Sequence, residues 1–190
     1  MIGRLVHRIE YGPGRRVMSL LRQRWVVFRH PRATIRFGRR VYLGPGFSVD
    51  IPASGTLVVG DDCEFRRNCR VEIYDDGRIT IGNGSYLTYD VVLACSRSIR
   101  IGERCGIGHN CGVYDATHLF RDITVPFLEQ GYRYHPVTIE DDVQVNSGST
   151  VLSDVGRRAI VAAHSVVKAP VPAHTLVAGA PAEPVEYFGP

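Results

Sequence analysis

The stretch from Ile79 to Ala94, ITIGNGSYLTYDVVLA, carries the pattern that decides the fold. Its anchor residues Ile81, Leu87 and Leu93 are apolar and six positions apart. The residues two positions before each anchor are also apolar or small, and polar residues separate the two sets. This alternation is typical of a strand with one buried face. The stretch therefore predicts three short strands joined by tight turns.

The same six-residue step runs through most of the chain. Five triplets of anchors fit it, and all fifteen positions are apolar: Phe37, Leu43, Val49; Val59, Phe65, Val71; Ile81, Leu87, Leu93; Ile101, Ile107, Val113; Ile139, Val145, Val151. Glycine follows an anchor at positions 38, 44, 60, 82, 102 and 108, which predicts turns with unusual backbone angles. An internal repeat of this length indicates a solenoid.

The gaps between triplets show where the repeat is interrupted. Successive triplets are separated by ten, ten, eight and twenty-six residues, so the extra residues number four, four, two and twenty. All of them follow the third strand of a triplet. Three short strands per turn make a triangular coil of about 18 residues, and every insertion leaves from one corner. We therefore predict an all-β parallel β-helix that ends at Pro170 and Pro172, with a loop at 116–136 protruding from one corner.

The cysteines fit the interior of such a coil. Cys63, Cys69, Cys105 and Cys111 all fall two residues before an anchor, where small buried residues are needed. No signal peptide or membrane span is predicted, so we expect a cytoplasmic chain with five reduced cysteines.

The N-terminal segment differs from the remainder in charge. Residues 1–40 contain eleven Arg and one Glu, whereas the rest is net acidic. Within VMSLLRQRWVVF, apolar residues at helical spacing (Val17, Leu20, Leu21, Trp25, Phe28) predict an amphipathic helix that Pro13 opens and His30-Pro31 close. We expect this helix to cap the first coil, and the alternative is peripheral contact with the inner face of a membrane. The predicted organisation is a basic helical segment 1–31, a β-helix 32–175 and a tail 176–190.

Two further stretches resemble a known family. The triplets, followed by HSVVKAPVPAHTLVAGAPAEPV at 164–185, resemble the left-handed β-helix acyltransferases of the hexapeptide-repeat family. The resemblance covers residues 35–182 and is greatest to bacterial O-acetyltransferases that modify sugars and polysaccharides. In those proteins a histidine-bearing loop precedes a stretch similar to LEQGYRYHPVTIEDDVQV at 128–145. The left-handed winding is implied by this resemblance alone.

The resemblance also implies a chemistry. The loop histidine is His118, in GVYDATHLFRD at 112–122, and it would act as the general base that takes a proton from an acceptor hydroxyl. Asp115 and Glu129 are the candidate carboxylates for orienting its imidazole. The implied working unit is a homotrimer, the donor acetyl-CoA, and the acceptor a sugar or glycan. We expect no metal requirement and no nucleic acid partner.

A donor groove between neighbouring protomers is implied in the same way. Asn146, Ser147, Ala162 and Ala163 would line the pantetheine arm, while Lys168, Arg157 and Arg158 would hold the phosphates. Gln144 stands where a Trp is frequent in the family, and Asn146 where a Gly is. These departures keep open a non-catalytic β-helix scaffold. The sequence is also compatible with N-acylation of an amino sugar and with a metal enzyme of the carbonic-anhydrase type.

Overall fold

The structure, a computed structural model, describes residues 14–190. Residues 1–13, which include Pro13 and two of the eleven N-terminal arginines, lie outside the described residues. In this described part of the chain, one α-helix, α1 (Arg15–Arg29), precedes twenty-one strands. The strands form three parallel sheets, A, B and C, which are the faces of a triangular prism, and a separate two-stranded hairpin.

Each of the first five coils contributes one strand to each face. Face A contains β1 (Thr34–Phe37), β4 (Thr56–Val59), β7 (Arg78–Ile81), β10 (Ser98–Ile101) and β15 (Val137–Ile139). Face B contains β2 (Tyr42–Leu43), β5 (Glu64–Phe65), β8 (Tyr86–Leu87), β11 (Gly106–Ile107), β16 (Gln144–Val145), β18 (Ile160–Val161), β20 (Thr175–Ala178) and the antiparallel β21 (Glu183–Tyr187). Face C contains β3 (Ser48–Asp50), β6 (Arg70–Ile73), β9 (Val92–Cys95), β12 (Gly112–Tyr114), β17 (Thr150–Val151) and β19 (Val166–Val167).

The six-residue step places side chains in the interior as predicted. Thirteen of the fifteen anchors are buried, and the other two, Phe37 and Val49, are half-buried in the first coil. That coil has no strand on its outer side, so its anchors are the least covered. The prediction of a parallel β-helix from this spacing is confirmed.

The repeat extends further than the prolines suggested. Val155, Val161 and Val167 resume the six-residue spacing, and Val171 and Val177 are buried in a further partial coil. The backbone of Val155 bridges both Ile139 and Val171. Pro170 and Pro172 lie beside this bridge in the turns, where no sheet hydrogen bond requires their amide. The prediction that the repeat stops at these prolines is therefore wrong.

The glycines that follow the anchors serve close packing of neighbouring coils. A Cβ on Gly82 would lie 2.6 Å from the carbonyl carbon of Gly102, and one on Gly108 would lie 2.6 Å from the Ser147 nitrogen. Positive φ angles occur two residues later, at Gly84 and Asn110 for these two turns. The predicted glycine positions are thus sites of close approach between coils.

The inward cysteines satisfy backbone groups at the corners. The thiol of Cys63 donates to the Gly82 carbonyl over 3.1 Å, and that of Cys111 donates to the Asn146 carbonyl over 3.1 Å. The Ser85 hydroxyl does the same to Gly102 over 2.7 Å. Burial raises the pKa of each thiol, that of Cys69 to about 12. Among the described residues, no three metal-ligating side chains cluster at one place.

Helix α1 lies against the first strand of face B. Ser19 Oγ accepts a hydrogen bond from the Leu43 amide over 2.8 Å and donates to the Val41 carbonyl over 3.2 Å. Gln23 and Arg22 donate to the Val41 and Leu43 carbonyls over 2.9 Å. The helix therefore caps the sheet edge, and its polar side chains replace the hydrogen bonds of a missing strand.

Candidate active site

The twenty-residue excursion leaves the prism at the edge between faces C and A. It contains a hairpin of β13 (Ala116–His118) and β14 (Tyr132–Tyr134), with a 3-10 turn at Phe127–Glu129 between them. The His135 amide donates to the Asp115 carbonyl over 2.6 Å and closes the base of the hairpin. The Arg97 guanidinium lies 4.3 Å from the centre of the Tyr134 ring and ties the hairpin to the shaft. The excursion is thus an ordered arm that starts from a fixed corner.

His118 lies at the end of β13, opposite Tyr132 in the hairpin. Its imidazole packs between two aromatic rings, with centroids 4.3 Å away for Tyr132 and 4.9 Å for Phe127. Its Nδ1 is buried and has no hydrogen-bond partner, and this is the single such side-chain atom among the residues that the structure describes. A buried polar atom left unpaired costs about 1–3 kcal/mol, so a partner for it is expected in the working state.

A cavity of about 690 Å³ opens beside this imidazole. Glu129, one of the two predicted carboxylates, lines the same cavity as His118. Hydrogen bonds from the Thr124 hydroxyl and amide lower the pKa of Asp122, so this carboxyl is ionised at neutral pH. The remaining polar side chains of the lining are Thr117, Arg121, Gln130, Arg133 and His135. The cavity therefore places positively charged donors and negatively charged acceptors around one histidine.

Asp115, the other predicted carboxylate, faces the interior of the prism. It is 0% exposed and accepts hydrogen bonds from the amides of Ser96, Arg97 and Ser98 over 2.6–2.7 Å. Cys95 donates to it from 3.3 Å, and burial, with the charge of Asp115, raises the pKa of that thiol to about 12. The Asp115 carboxylate does not contact His118. It instead holds the backbone of the corner from which the hairpin departs.

The predicted donor-binding residues lie on three different edges of the prism. Asn146 and Ser147 stand on the edge between faces B and C, and Ala162 and Ala163 lie one coil further on the same edge. Their small side chains leave the backbone accessible to a thin ligand, although the Asn146 amide group is already bonded to the Val161 carbonyl over 2.9 Å.

The predicted cations lie elsewhere. Arg157 and Arg158 stand on the edge between faces A and B, near Asp142. The hydrogen bond from Arg104 lowers the pKa of Asp142, and the charges of Arg157 and Arg158 add to this effect. Lys168 stands on the edge between faces C and A, the same edge as the hairpin but two coils further along. One protomer therefore does not bring the three groups together.

Sequence reasoning missed the side chains that shape the site. Tyr132 and Phe127 enclose the imidazole. Gln130 fixes the arm, because its amide donates to the Asp122 and Val125 carbonyls over 2.8 and 2.9 Å. The alternation in YRY at 132–134 was the available signal for a second strand in this stretch.

Comparisons with known proteins agree with this architecture. No family model matches the chain. A probable acetyltransferase of Mycobacterium tuberculosis is 28% identical over 149 residues, which is 77% of this chain and 49% of that protein. The chain spans about half the length of the curated relatives it matches.

Solved structures share the fold over most of the chain. A hexapeptide-repeat-containing acetyltransferase of Vibrio cholerae, complexed with acetyl-CoA, aligns with a TM-score of 0.60 at 22% identity and covers 99% of this chain and 85% of its own. A variant of AntD, an N-acyltransferase from Bacillus cereus in complex with dTDP and coenzyme A, aligns with a TM-score of 0.69 at 18% identity, covering 86% and 88%. The shared fold is the left-handed parallel β-helix.

Proposed function

We propose that this chain is an acyltransferase that moves an acetyl group from acetyl-CoA to a hydroxyl of a sugar or polysaccharide precursor, with His118 as the general base. The observation that carries the proposal is the unpartnered, buried Nδ1 of His118 beside a 690 Å³ cavity. Elsewhere in the described chain, buried polar side-chain atoms are satisfied. A histidine that alone departs from this rule is suited to a partner that arrives with the substrate or with a neighbouring protomer.

The reaction follows from the ordinary chemistry of imidazole. The neutral ring takes the proton of the acceptor hydroxyl as its oxygen attacks the thioester carbonyl. A carbon–oxygen bond forms, the carbon–sulfur bond breaks, and the proton passes from the imidazolium to the departing thiolate. One ring nitrogen performs this transfer while the other needs an acceptor for its own N–H. Glu129 lines the cavity and is our candidate for that acceptor.

The lining of the cavity suits a polyhydroxylated acceptor. Arg133 offers donors, and Asp122 and Glu129 offer charged acceptors. A sugar presents several hydroxyls that both donate and accept, so such a mixed lining can hold it in one orientation.

The assembly we propose is a cyclic homotrimer. The small residues at Asn146, Ser147, Ala162 and Ala163 lie on one edge of the prism and the hairpin leaves from another, so a shared site requires two protomers. The arm also exposes apolar residues, with Ile123 98% and Leu128 80% exposed. A neighbouring protomer that covers them would bury this surface and complete the groove.

An N-acyltransferase acting on an amino sugar is the second candidate. The similarity to AntD, an N-acyltransferase, is the observation that favours it. The same base and cavity serve either acceptor, because both reactions remove one proton from the attacking atom. We further propose a cytoplasmic location, in keeping with five free cysteines. In the described residues no helix has the length and apolarity needed to cross a bilayer.

The test is an acceptor screen with purified protein. Acetyl-CoA is incubated with a panel that pairs each sugar with its amino analogue, and release of free thiol is followed. We expect turnover with at least one hydroxyl acceptor, and His118→Ala to lower kcat about 10²-fold or more. CoA affinity should be unchanged in this variant, because His118 acts on the acceptor.

His174→Ala is the matched control, because His174 lies on the edge between faces A and B and packs against Phe188. It should keep full activity. Turnover restricted to amino sugars would replace the leading proposal with the second. No turnover and no CoA binding at millimolar concentration would assign the chain to the non-catalytic scaffolds.

A further inference from the structure

Helix α1 presents its apolar residues away from the shaft. The side that contacts the first coil carries Ser19, Arg22, Gln23 and Val26, of which Ser19 and Val26 are buried. At 100° per residue, the opposite half of the helix carries five large exposed apolar side chains: Val17, Leu20, Leu21, Trp25 and Phe28. Trp25 is 57% and Phe28 is 74% exposed. The polar side of the helix forms the predicted cap, and within residues 14–190 nothing covers the apolar face.

Arginines surround this apolar face. Arg24 interrupts it, and Arg16 and Arg29 lie at its two borders, all three exposed. The Arg29 guanidinium lies 5.7 Å from the Trp25 ring centre. The helix contains no acidic residue, and residues 1–40 contain a single Glu against eleven Arg. Long basic side chains at the border of an apolar face can reach phosphate groups while their stems stay in a nonpolar layer.

We propose that α1 binds the surface of an anionic phospholipid bilayer, with its apolar face inserted at the level of the headgroups. Charge complementarity selects this occupant, because a second copy of the same face would bring Arg24 and Arg29 against their own counterparts. The hydrogen bonds from Ser19, Arg22 and Gln23 to the backbone of strand β2 and of the residue before it keep the helix attached to the shaft while its outer half inserts. This inference does not rest on acyl transfer, and it is tested without substrate.

Trp25 is the single tryptophan of the chain, which makes it a direct reporter of insertion. The full chain is mixed with vesicles of neutral phosphatidylcholine or with vesicles that contain about one-third phosphatidylglycerol. We expect a blue shift of Trp25 emission and co-sedimentation with the anionic vesicles only. Binding should weaken as salt is raised, because the arginine contacts are screened.

A double variant tests the apolar face itself. Leu21→Ser with Phe28→Ser changes two exposed residues and should reduce vesicle binding at least about tenfold. The control is Val185→Ser with Tyr187→Ser, since both residues are exposed on strand β21 at the other end of the prism. This control should bind as the unaltered chain does.

Three results would overturn the proposal. The first is that Trp25 emission does not shift with anionic vesicles. The second is that the Leu21/Phe28 variant binds these vesicles as well as the unaltered chain does. The third is that Trp25 emission is already blue-shifted without vesicles and moves to longer wavelength when the protein is diluted. The last result would assign the face to a second copy of the chain.

Discussion

At the scale of single residues, Asp115 occupies a position that the repeat itself defines. Two residues after the third anchor of each coil, the side chain points inward, and the earlier coils place Ile51, Ile73 and Cys95 there. The fourth coil places a carboxylate at the same position, where three amides of the corner at 96–98 converge on it. The three amides donate to one carboxylate, so the polar side chain is held by the corner above it.

This geometry predicts that Asp115→Asn mainly lowers stability. An amide presents an NH2 group to a backbone N–H where the carboxylate presented an oxygen, and the charge-assisted bonds are lost. The cost is about 3 kcal/mol, a fall in Tm of several degrees for a chain of this size. Thermal unfolding followed by circular dichroism measures it. Asp76→Asn is the control, since that side chain is 81% exposed at the same edge.

Comparison with Glu129→Gln separates stability from chemistry. That variant should keep the Tm and lower kcat, because Glu129 is an exposed residue that lines the cavity of His118. If Asp115→Asn instead kept its Tm and lost kcat alone, Asp115 would act on the reaction and its part in holding the corner would be minor.

The sequence offered both carboxylates equally, because distance along the chain does not tell which one faces the interior. The inward phase at Asp115, two residues after Val113, was the signal that distinguishes them.

At the scale of elements, α1 shows what an amphipathic pattern specifies. Spacing identified the helix and the apolar face correctly, and the helix ends at Arg29 before His30-Pro31 as predicted. It did not reveal which face meets the shaft. The first strand of a sheet exposes backbone N–H and C=O groups, and side chains that hydrogen-bond satisfy them better than apolar ones do. The polar face of the helix therefore packs inward here.

Ser19→Ala tests this contact. The change leaves the Leu43 amide without its acceptor at a buried edge, with an expected cost of about 1–3 kcal/mol and a lower Tm. Ser54→Ala, at an exposed position in a turn, should leave the Tm unchanged. An equal Tm for the two variants would mean that the helix does not pack against strand β2 in solution.

The hairpin is an element whose position could be predicted from the sequence but whose internal structure could not. The break in the six-residue period located its two ends, but the period says nothing about structure inside the break. Ala116–His118 pairs with Tyr132–Tyr134, two three-residue strands with thirteen residues between them. The alternation in YRY at 132–134 indicates a strand but does not identify its partner. The ring contacts of His118 follow from that pairing, so they could not be predicted before it was known.

At the scale of the whole molecule, the six-residue period was sufficient for the architecture, because every anchor has one place in a triangular coil. The same period carries no information on how prisms assemble. Neighbouring protomers meet through outward side chains, which the repeat leaves free to vary. The structure places the candidate site residues on different edges of the prism, and the six-residue period does not predict this division. A site that joins unlike edges of two protomers is a heterologous contact, and such contacts form a ring when the rotation from one protomer to the next closes.

Mixing two inactive variants tests this assembly. His118→Ala removes the base, and Ala163→Trp fills the edge that we assign to the donor, at an exposed position. In trimers formed by co-expression of equal amounts, a site is intact where a protomer with His118 adjoins one with Ala163. Random assembly therefore restores roughly 25% of the unaltered activity. Thiol release by the purified mixture measures it, and each variant alone is the control. If the base and the donor edge belonged to the same protomer, every site would contain one defect and the mixture would be as inactive as its parents, even with a trimer mass of about 63 kDa from a chain of 21.1 kDa.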